Sequence, residues 1–105
     1  MAEGQEGSNV SYVVCAKWIA REASVEEVSS ALVELAGSSR DEPGNLEYRI
    51  HRDLEDRRVF FLYEHYVDAA SYQAHLSSEH FALAREQAFH LLESRVRDFY
   101  GTWDV

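Results

Sequence analysis

The sequence predicts an α+β fold of order β-α-β-β-α-β, one antiparallel sheet with its helices on one face. Three patterns carry that expectation. Residues 45–53 and 58–66 are strand-like segments around a charged turn, which is the pattern of a hairpin. Residues 24–36 and 78–92 bring apolar side chains back at helical spacing. Residues 10–20 and 95–105, at the two ends, are rich in β-branched and aromatic side chains. A chain of 105 residues is one domain with a single core.

Val10 to Ala20 reads as the first strand, with Tyr12, Val14, Ala16 and Trp18 on one face and Val13, Cys15 and Ile19 on the other. Ser24-Val25-Glu26-Glu27 reads as a capping box, a hydroxyl N-cap with a glutamate that can reach back to the N-cap amide. The helix it opens lines up Val25, Val28, Leu32, Leu35 and Ala36. Gly37 and the Ser38-Ser39 pair weaken it, and Pro43-Gly44 ends it. In the hairpin, a two-residue loop at Glu55-Asp56 would pair His51 with Phe60, Arg49 with Leu62 and Glu47 with Glu64. One face then carries Glu47, Arg49, His51, Phe60, Leu62, Glu64 and Tyr66; the other carries Leu46, Tyr48, Ile50, Phe61, Tyr63 and His65. Asp68 caps a short helix through Leu76, and Ser77 or Ser78 caps a second through about Leu91. Arg95 to Val105 closes the chain as a strand bent at Gly101. This is the ferredoxin-like arrangement.

Composition narrows the function. A net charge of −9 opposes binding to nucleic acid, whose phosphates seek Lys/Arg-rich surfaces. Lys17, the only lysine, sits on a strand and is a poor Schiff-base candidate. Cys15 has no second cysteine to pair with and reads as a small buried hydrophobe. Residues 1–9 read as a flexible polar tail without a signal or membrane-spanning pattern, which makes the cytoplasm the expected location. The strand VFFLYEHY is apolar on both faces, while the helices cover one face only. A second copy packed sheet to sheet would bury the other, so a homodimer is expected. The aromatic C-terminal segment FYGTWDV is expected to reach that partner or seal the dimer edge.

Glu42-Pro43-Gly44, Tyr48, His51, Tyr63, Tyr66, Asp68, Tyr72, His75 and His80-Phe81, in that order, resemble the antibiotic biosynthesis monooxygenase superfamily from about Val10 onward. The resemblance implies a dimeric α+β barrel. It also implies a choice among activities: oxidation of phenolic or anthrone-type rings by O2, quinol oxidation, haem degradation, or isomerisation of a phosphorylated sugar. In the polyketide oxygenases an aromatic residue at the end of the third strand and a tyrosine six residues later line the pocket. Tyr66 and Tyr72 match them, with tyrosine in place of tryptophan at the first. Leu62 stands where those enzymes have an asparagine, His51 matches a histidine near the pocket, and Arg85 is the candidate for a helix arginine. The asparagine, tryptophan and axial histidine of haem degraders are not matched, since His75 and Arg85 occupy the latter two positions.

A cofactor-free oxygenase needs a substrate that ionises to an electron-rich anion, a group to manage the proton, and a dry aromatic pocket. His51 and Tyr72 are the catalytic candidates, because histidine titrates near neutral pH and a phenol can hold a substrate oxygen. Tyr66, Leu62, Glu64, His75, His80 and Arg85 are the expected substrate contacts. No metal or cofactor is expected. The spacing of His75 and His80 is off the i, i+4 pairing that sets two helical ligands side by side. The expected partners are a small aromatic substrate and O2. The alternatives are a non-catalytic dimeric module for a small hydrophobic ligand, or the phosphosugar isomerase.

Overall fold

The computed structural model describes residues 11–103. Strands β1 (Tyr12–Ala20), β2 (Asn45–Arg52), β3 (Val59–Tyr66) and β4 (Leu92–Gly101) combine with helices α1 (Val25–Arg40), α2 (Ala69–Leu76) and α3 (Glu79–Ala88). The sheet order is β2-β3-β1-β4 and every neighbouring pair is antiparallel, the predicted ferredoxin-like topology. The expected tail at residues 1–9 and the chain end at residues 104–105 lie outside the described residues.

Helix α1 buries Val25, Val28, Ala31, Leu32, Leu35, Ala36 and Ser39, the stripe that its spacing predicts. These pack on Ala16, Trp18, Ala20, Tyr48, Phe60 and Leu62 of the sheet. Losing one such leucine to alanine costs about 2–5 kcal/mol in a core of this kind. The capping box does not form. A short 3-10 turn over Glu22–Ser24 leads straight into α1, so Ser24 has φ −120° and ψ 14° and its side chain caps nothing. A capping hydroxyl needs extended backbone at that position. Helices α2 and α3 are capped as expected: Asp68 accepts from the Ser71 amide and Ser78 from the Phe81 amide.

The hairpin register differs from the predicted one by a single residue. Tyr48 faces Glu64, Ile50 faces Leu62 and His51 faces Phe61. The cause lies in the loop, which is longer than two residues. The Asp53 carboxylate accepts from the amides of Glu55 and Asp56 at 3.0 and 2.9 Å, and Asp56 accepts from the Arg58 amide at 3.0 Å. Side chains thus hold the turn open as Asx turns do. At the other end, an irregularity between Asn45 and Glu47 drops Leu46 out of the pairing and leaves it exposed.

A one-residue slip exchanges the faces. Tyr48, Ile50, Phe60, Leu62, Glu64 and Tyr66 turn toward the helices, while Glu47, Arg49, His51, Phe61, Tyr63 and His65 turn to the open face. The predicted Glu47–Glu64 clash is thereby absent: Glu47 pairs with Arg49 at 2.9 Å and stands opposite His65. The open face also carries Val13, Cys15, Lys17 and Ile19 of β1 and Val96 and Tyr100 of β4. Among the described residues no helix is long and apolar enough to cross a membrane.

The turn between α1 and β2 sets up the site. The Glu42 amide donates to Ser39 O and the Asn45 amide to Glu42 O, both at 3.1 Å. Gly44 passes directly over α2, where an added Cβ would fall 2.1 Å from Ser71 Oγ and 2.5 Å from Ser71 Cβ. Only glycine allows that approach, and the approach brings Glu42 to the helix pair.

Candidate active site

Two consecutive caps hold α2 and α3 end to end, with Ser77 and Ser78 between them. His75, in the last turn of α2, therefore lies beside His80, in the first turn of α3. Glu42 reaches both from the turn after α1. His75 Nδ1–H donates to Glu42 Oε2 at 2.7 Å, and His80 Nε2–H donates to the same oxygen at 2.5 Å. An ionised carboxylate only accepts, so the His75 proton sits on Nδ1. In the neutral ring Nε2 then carries the lone pair. That Nε2 is buried without a hydrogen-bond partner, as is Glu42 Oε1. Burial holds His75 below the ordinary histidine range, opposed by its contact with Glu42, so the ring is neutral at neutral pH.

Around His75 stands an aromatic wall. The Tyr48 and Tyr66 rings lie 5.6 Å from its ring, Phe81 5.2 Å, and Tyr72 6.1 Å in a stacked arrangement. Beyond that wall, Tyr72 continues through Tyr12 and Phe99 at 5.6 and 5.8 Å. These two rings line an open groove of about 400 Å³ with Ser11, Asp68, Ala69, Tyr100 and Gly101. These rings pack against one another and against His75, and their burial lowers the local dielectric, which strengthens the charges there.

Glu64 is the buried acid of this chamber, 4 % exposed. Tyr66 Oη–H donates to its Oε1 at 2.8 Å. Burial, opposed by that bond and by Arg95, pushes the carboxyl up to about 7. Burial and the neighbouring Glu64 push the hydroxyls of Tyr66 and Tyr48 well above the usual phenol range, so both remain donors. On β4, Arg97 Nη1 donates to Tyr72 Oη at 2.8 Å, and Arg95 lies half-buried over the Phe89 ring at 4.3 Å.

Tyr66, Tyr72, Glu64, His75 and His80 thus come together, while the catalytic candidate His51 and the expected contacts Leu62 and Arg85 do not join them. His51 lies exposed on the open face, with its Nδ1 3.3 Å from the Phe61 carbonyl, because the hairpin register carries it away from Glu64 and Tyr66. Leu62 packs in the core beneath α1. Arg85 is exposed on α3 and covers the Phe81 ring at 5.4 Å. The arginines that do approach these residues, half-buried Arg95 and exposed Arg97, alternate along β4 on the face of Trp18 and Ala16. That period of two was readable, but nothing in the sequence says which neighbour an edge strand meets. Glu42 is equally visible in Glu-Pro-Gly, where the local pattern marks only a turn.

The donor atoms of Glu42, His75 and His80 lie within 4.8 Å of one another, a set that could hold a divalent cation. The two Glu42 contacts of 2.5 and 2.7 Å are hydrogen-bond lengths, tighter than the roughly 3 Å or more between ligands on one ion with 2.0–2.2 Å bonds. Hydrogen bonding explains the cluster as it stands.

Residues 11–87 match the model of the family described as antibiotic biosynthesis monooxygenase. No curated protein matches the chain. Among solved structures, a Nitrosomonas europaea protein provisionally named an antibiotic biosynthesis monooxygenase is 26% identical, with a TM-score of 0.84 over 88% of this chain and 89% of that one. PA3566 of Pseudomonas aeruginosa is 26% identical, with a TM-score of 0.81 over 90% and 96%. A Caulobacter crescentus protein with the same provisional name reaches 0.86 over 99% and 100% at 18% identity, a likeness of fold.

Glu64 links this site to stability. Its carboxyl ionises at about 7 when folded and at about 4.5 when unfolded, so the folded chain holds the proton more tightly. The resulting stabilisation is complete below pH 4.5 and is lost as pH rises through about 7. A gap of that size corresponds to roughly 3 kcal/mol. Glu64→Gln keeps an acceptor for Tyr66 and removes the titration. Urea unfolding should therefore show the variant gaining on the parent by up to about 3 kcal/mol between pH 4.5 and pH 8. A difference that stays flat across this range contradicts the buried carboxyl.

Proposed function

The chain belongs to the antibiotic biosynthesis monooxygenase family, and from that premise we propose that it oxidises a phenolic, anthrone or quinol-type aromatic with O2 and no added cofactor. The observation that carries this reading is the lone pair of His75 Nε2, buried without a partner among the aromatic rings while Glu42 holds the opposite nitrogen. A carboxylate that fixes the tautomer and steadies the imidazolium is the arrangement of a general base with its orienting group.

The chemistry balances without an external reductant. For an anthrone, His75 Nε2 removes a proton from the acidic carbon and leaves an enolate. One electron passes from the enolate to O2, and the two radicals combine to a carbon-bound peroxide. Glu64 in its protonated form supplies a proton to that peroxide. Loss of water then leaves a carbonyl, with one oxygen atom in the product and the other in water. Tyr48, Tyr66 and Tyr72 provide the ring-stacking wall and exclude bulk water from the reactive intermediates. His51 has no part in this scheme.

The enzyme would act as a homodimer through the open sheet face. Phe61 is 39 % exposed there, Val96 51 % and Tyr100 55 %, and a second copy would bury them against their own equivalents. Trp103, 84 % exposed at the end of the described chain, would extend that contact.

Two measurements follow. Oxygen uptake by metal-stripped protein, offered a panel of anthrones, naphthols and hydroquinones, should exceed autoxidation. His75→Gln should lower kcat by about 10²–10⁴-fold and Glu42→Gln by a smaller factor, while His51→Ala leaves it unchanged. Turnover that survives in His75→Gln contradicts this base; absence of uptake across the panel contradicts the oxygenase. Light scattering should give a dimer for the parent and a monomer for Phe61→Asp combined with Val96→Asp; a monomeric parent at micromolar concentration rules the dimer out.

A further inference from the structure

Glu42 is held by protons on one oxygen only. His75 Nδ1 and His80 Nε2 both donate to Oε2, while Oε1 is buried without a hydrogen-bond partner. A buried charge is ordinarily paired or coordinates a metal. Beside the carboxylate, Ser39 Oγ lies 3.5 Å from His75 Nδ1, and Ser39 is itself wholly buried. Among the described residues, Glu42, His75 and His80 form the one set of three histidine, cysteine or acidic side chains whose donor atoms all lie within 4.8 Å.

The donor set selects the kind of ion. Two imidazoles and a carboxylate suit zinc and its late first-row neighbours, whereas magnesium and calcium take shells of oxygen. Protons give the present spacing of 2.7 and 2.5 Å, so an ion requires the three atoms to open by roughly 0.5 Å. Two of the three have room to do so. Glu42 stands in a turn, and His80, in the first turn of α3, has 24 % of its side chain exposed, against none for His75. A cavity of about 50 Å³ between α1 and α3, lined by Glu34, Ser38, Leu83 and His80 among others, gives an ion a way to that histidine.

We propose that Glu42, His75 and His80 form a site for zinc or a similar late divalent cation, and that this cation and the bare Nε2 of His75 exclude each other. In a neutral imidazole, a metal on one nitrogen leaves the proton on the other. An ion at Nδ1 takes the lone pair there, and the ring proton goes to Nε2. The acceptor among the tyrosines then becomes a donor. A neutral His80 changes in the same way, bound through Nε2 with its proton on Nδ1. Protons are relocated within the rings and no electron is transferred; bonds to the ion replace the N–H donations to Oε2. A carboxylate bound through both oxygens would also satisfy Oε1, and water or Ser39 Oγ completes the shell. The consequence rests on the reading of His75 as the general base: the cation would be an inhibitor of the oxygenase, not its cofactor.

The probe is zinc added to the metal-stripped parent. Competition with a chromophoric chelator should give one bound ion per chain, with a Kd of about 1 μM or below. His80→Gln, at a partly exposed position, should weaken binding by more than about 100-fold, beyond the effect of losing an outer partner, and so should Glu42→Gln. His90→Gln, at an exposed histidine on the 3-10 turn after α3, should leave it unchanged. Nitrogen-15 NMR of histidine-labelled protein should show His75 Nε2 gaining its proton as zinc is added. Absence of binding at micromolar zinc, parental affinity in His80→Gln, or a His75 ring that keeps its proton on Nδ1 with zinc bound would each overturn the site. The outcome is separable from the oxygenase reading. Zinc bound with the proton moved and oxygen uptake undiminished sinks His75 as the base and keeps the site; oxygen uptake by a protein that binds no zinc does the reverse.

Discussion

Two imidazole N–H groups converge on one oxygen of Glu42, and the arrangement of the rest of the site depends on that convergence. It ties the turn after α1 to the last turn of α2 and the first turn of α3. Each bond to a charged acceptor contributes about 1.5–3 kcal/mol, and His75 is wholly enclosed, so removing the carboxylate would strand a buried donor as well. The glycine at position 44 is a precondition, because any side chain there would push the turn off α2 and withdraw Glu42 from its partners.

From that anchor the chamber assembles in a fixed order. Glu42 sets the His75 tautomer, the tautomer directs a lone pair among the tyrosines, and the sheet presents Glu64 opposite Tyr48 within the same enclosure. Burial raises one titratable group and lowers the other, so that near neutrality an unprotonated imidazole and a partly protonated carboxyl coexist in one dry space. Environments that push two titrating groups apart in this way commonly mark acid–base pairs. Arg95 and Arg97 add positive charge from β4, the edge strand beside β1.

Much of this was legible in the sequence. The element order, the α1 stripe and the Asp68 and Ser78 caps follow from local pattern, because helix spacing and N-cap chemistry act over a few residues, whereas the grouping of Tyr66, Tyr72, His75 and His80 is what the family resemblance implies. The failures share one cause: they depend on where distant segments meet. A strand's period of two says that Tyr48 and Ile50 share a face but not which face. A single extra loop residue, stabilised by the Asp53 and Asp56 carboxylates, decided it and moved His51 to the open side. Glu42 lies 33 positions from His75, and Arg97 25 from Tyr72, so no local signal joins them. The Ser24 box failed because the preceding backbone was already turning.

The state of the His75 ring is the most direct test of this account. Nitrogen-15 NMR of histidine-labelled protein at neutral pH, with His75→Gln for assignment, distinguishes the two neutral tautomers from the imidazolium. The geometry requires Nδ1 to carry the proton and Nε2 to have the chemical shift of a bare nitrogen. A protonated Nε2, or a ring that averages freely between tautomers, would contradict a base held ready by Glu42.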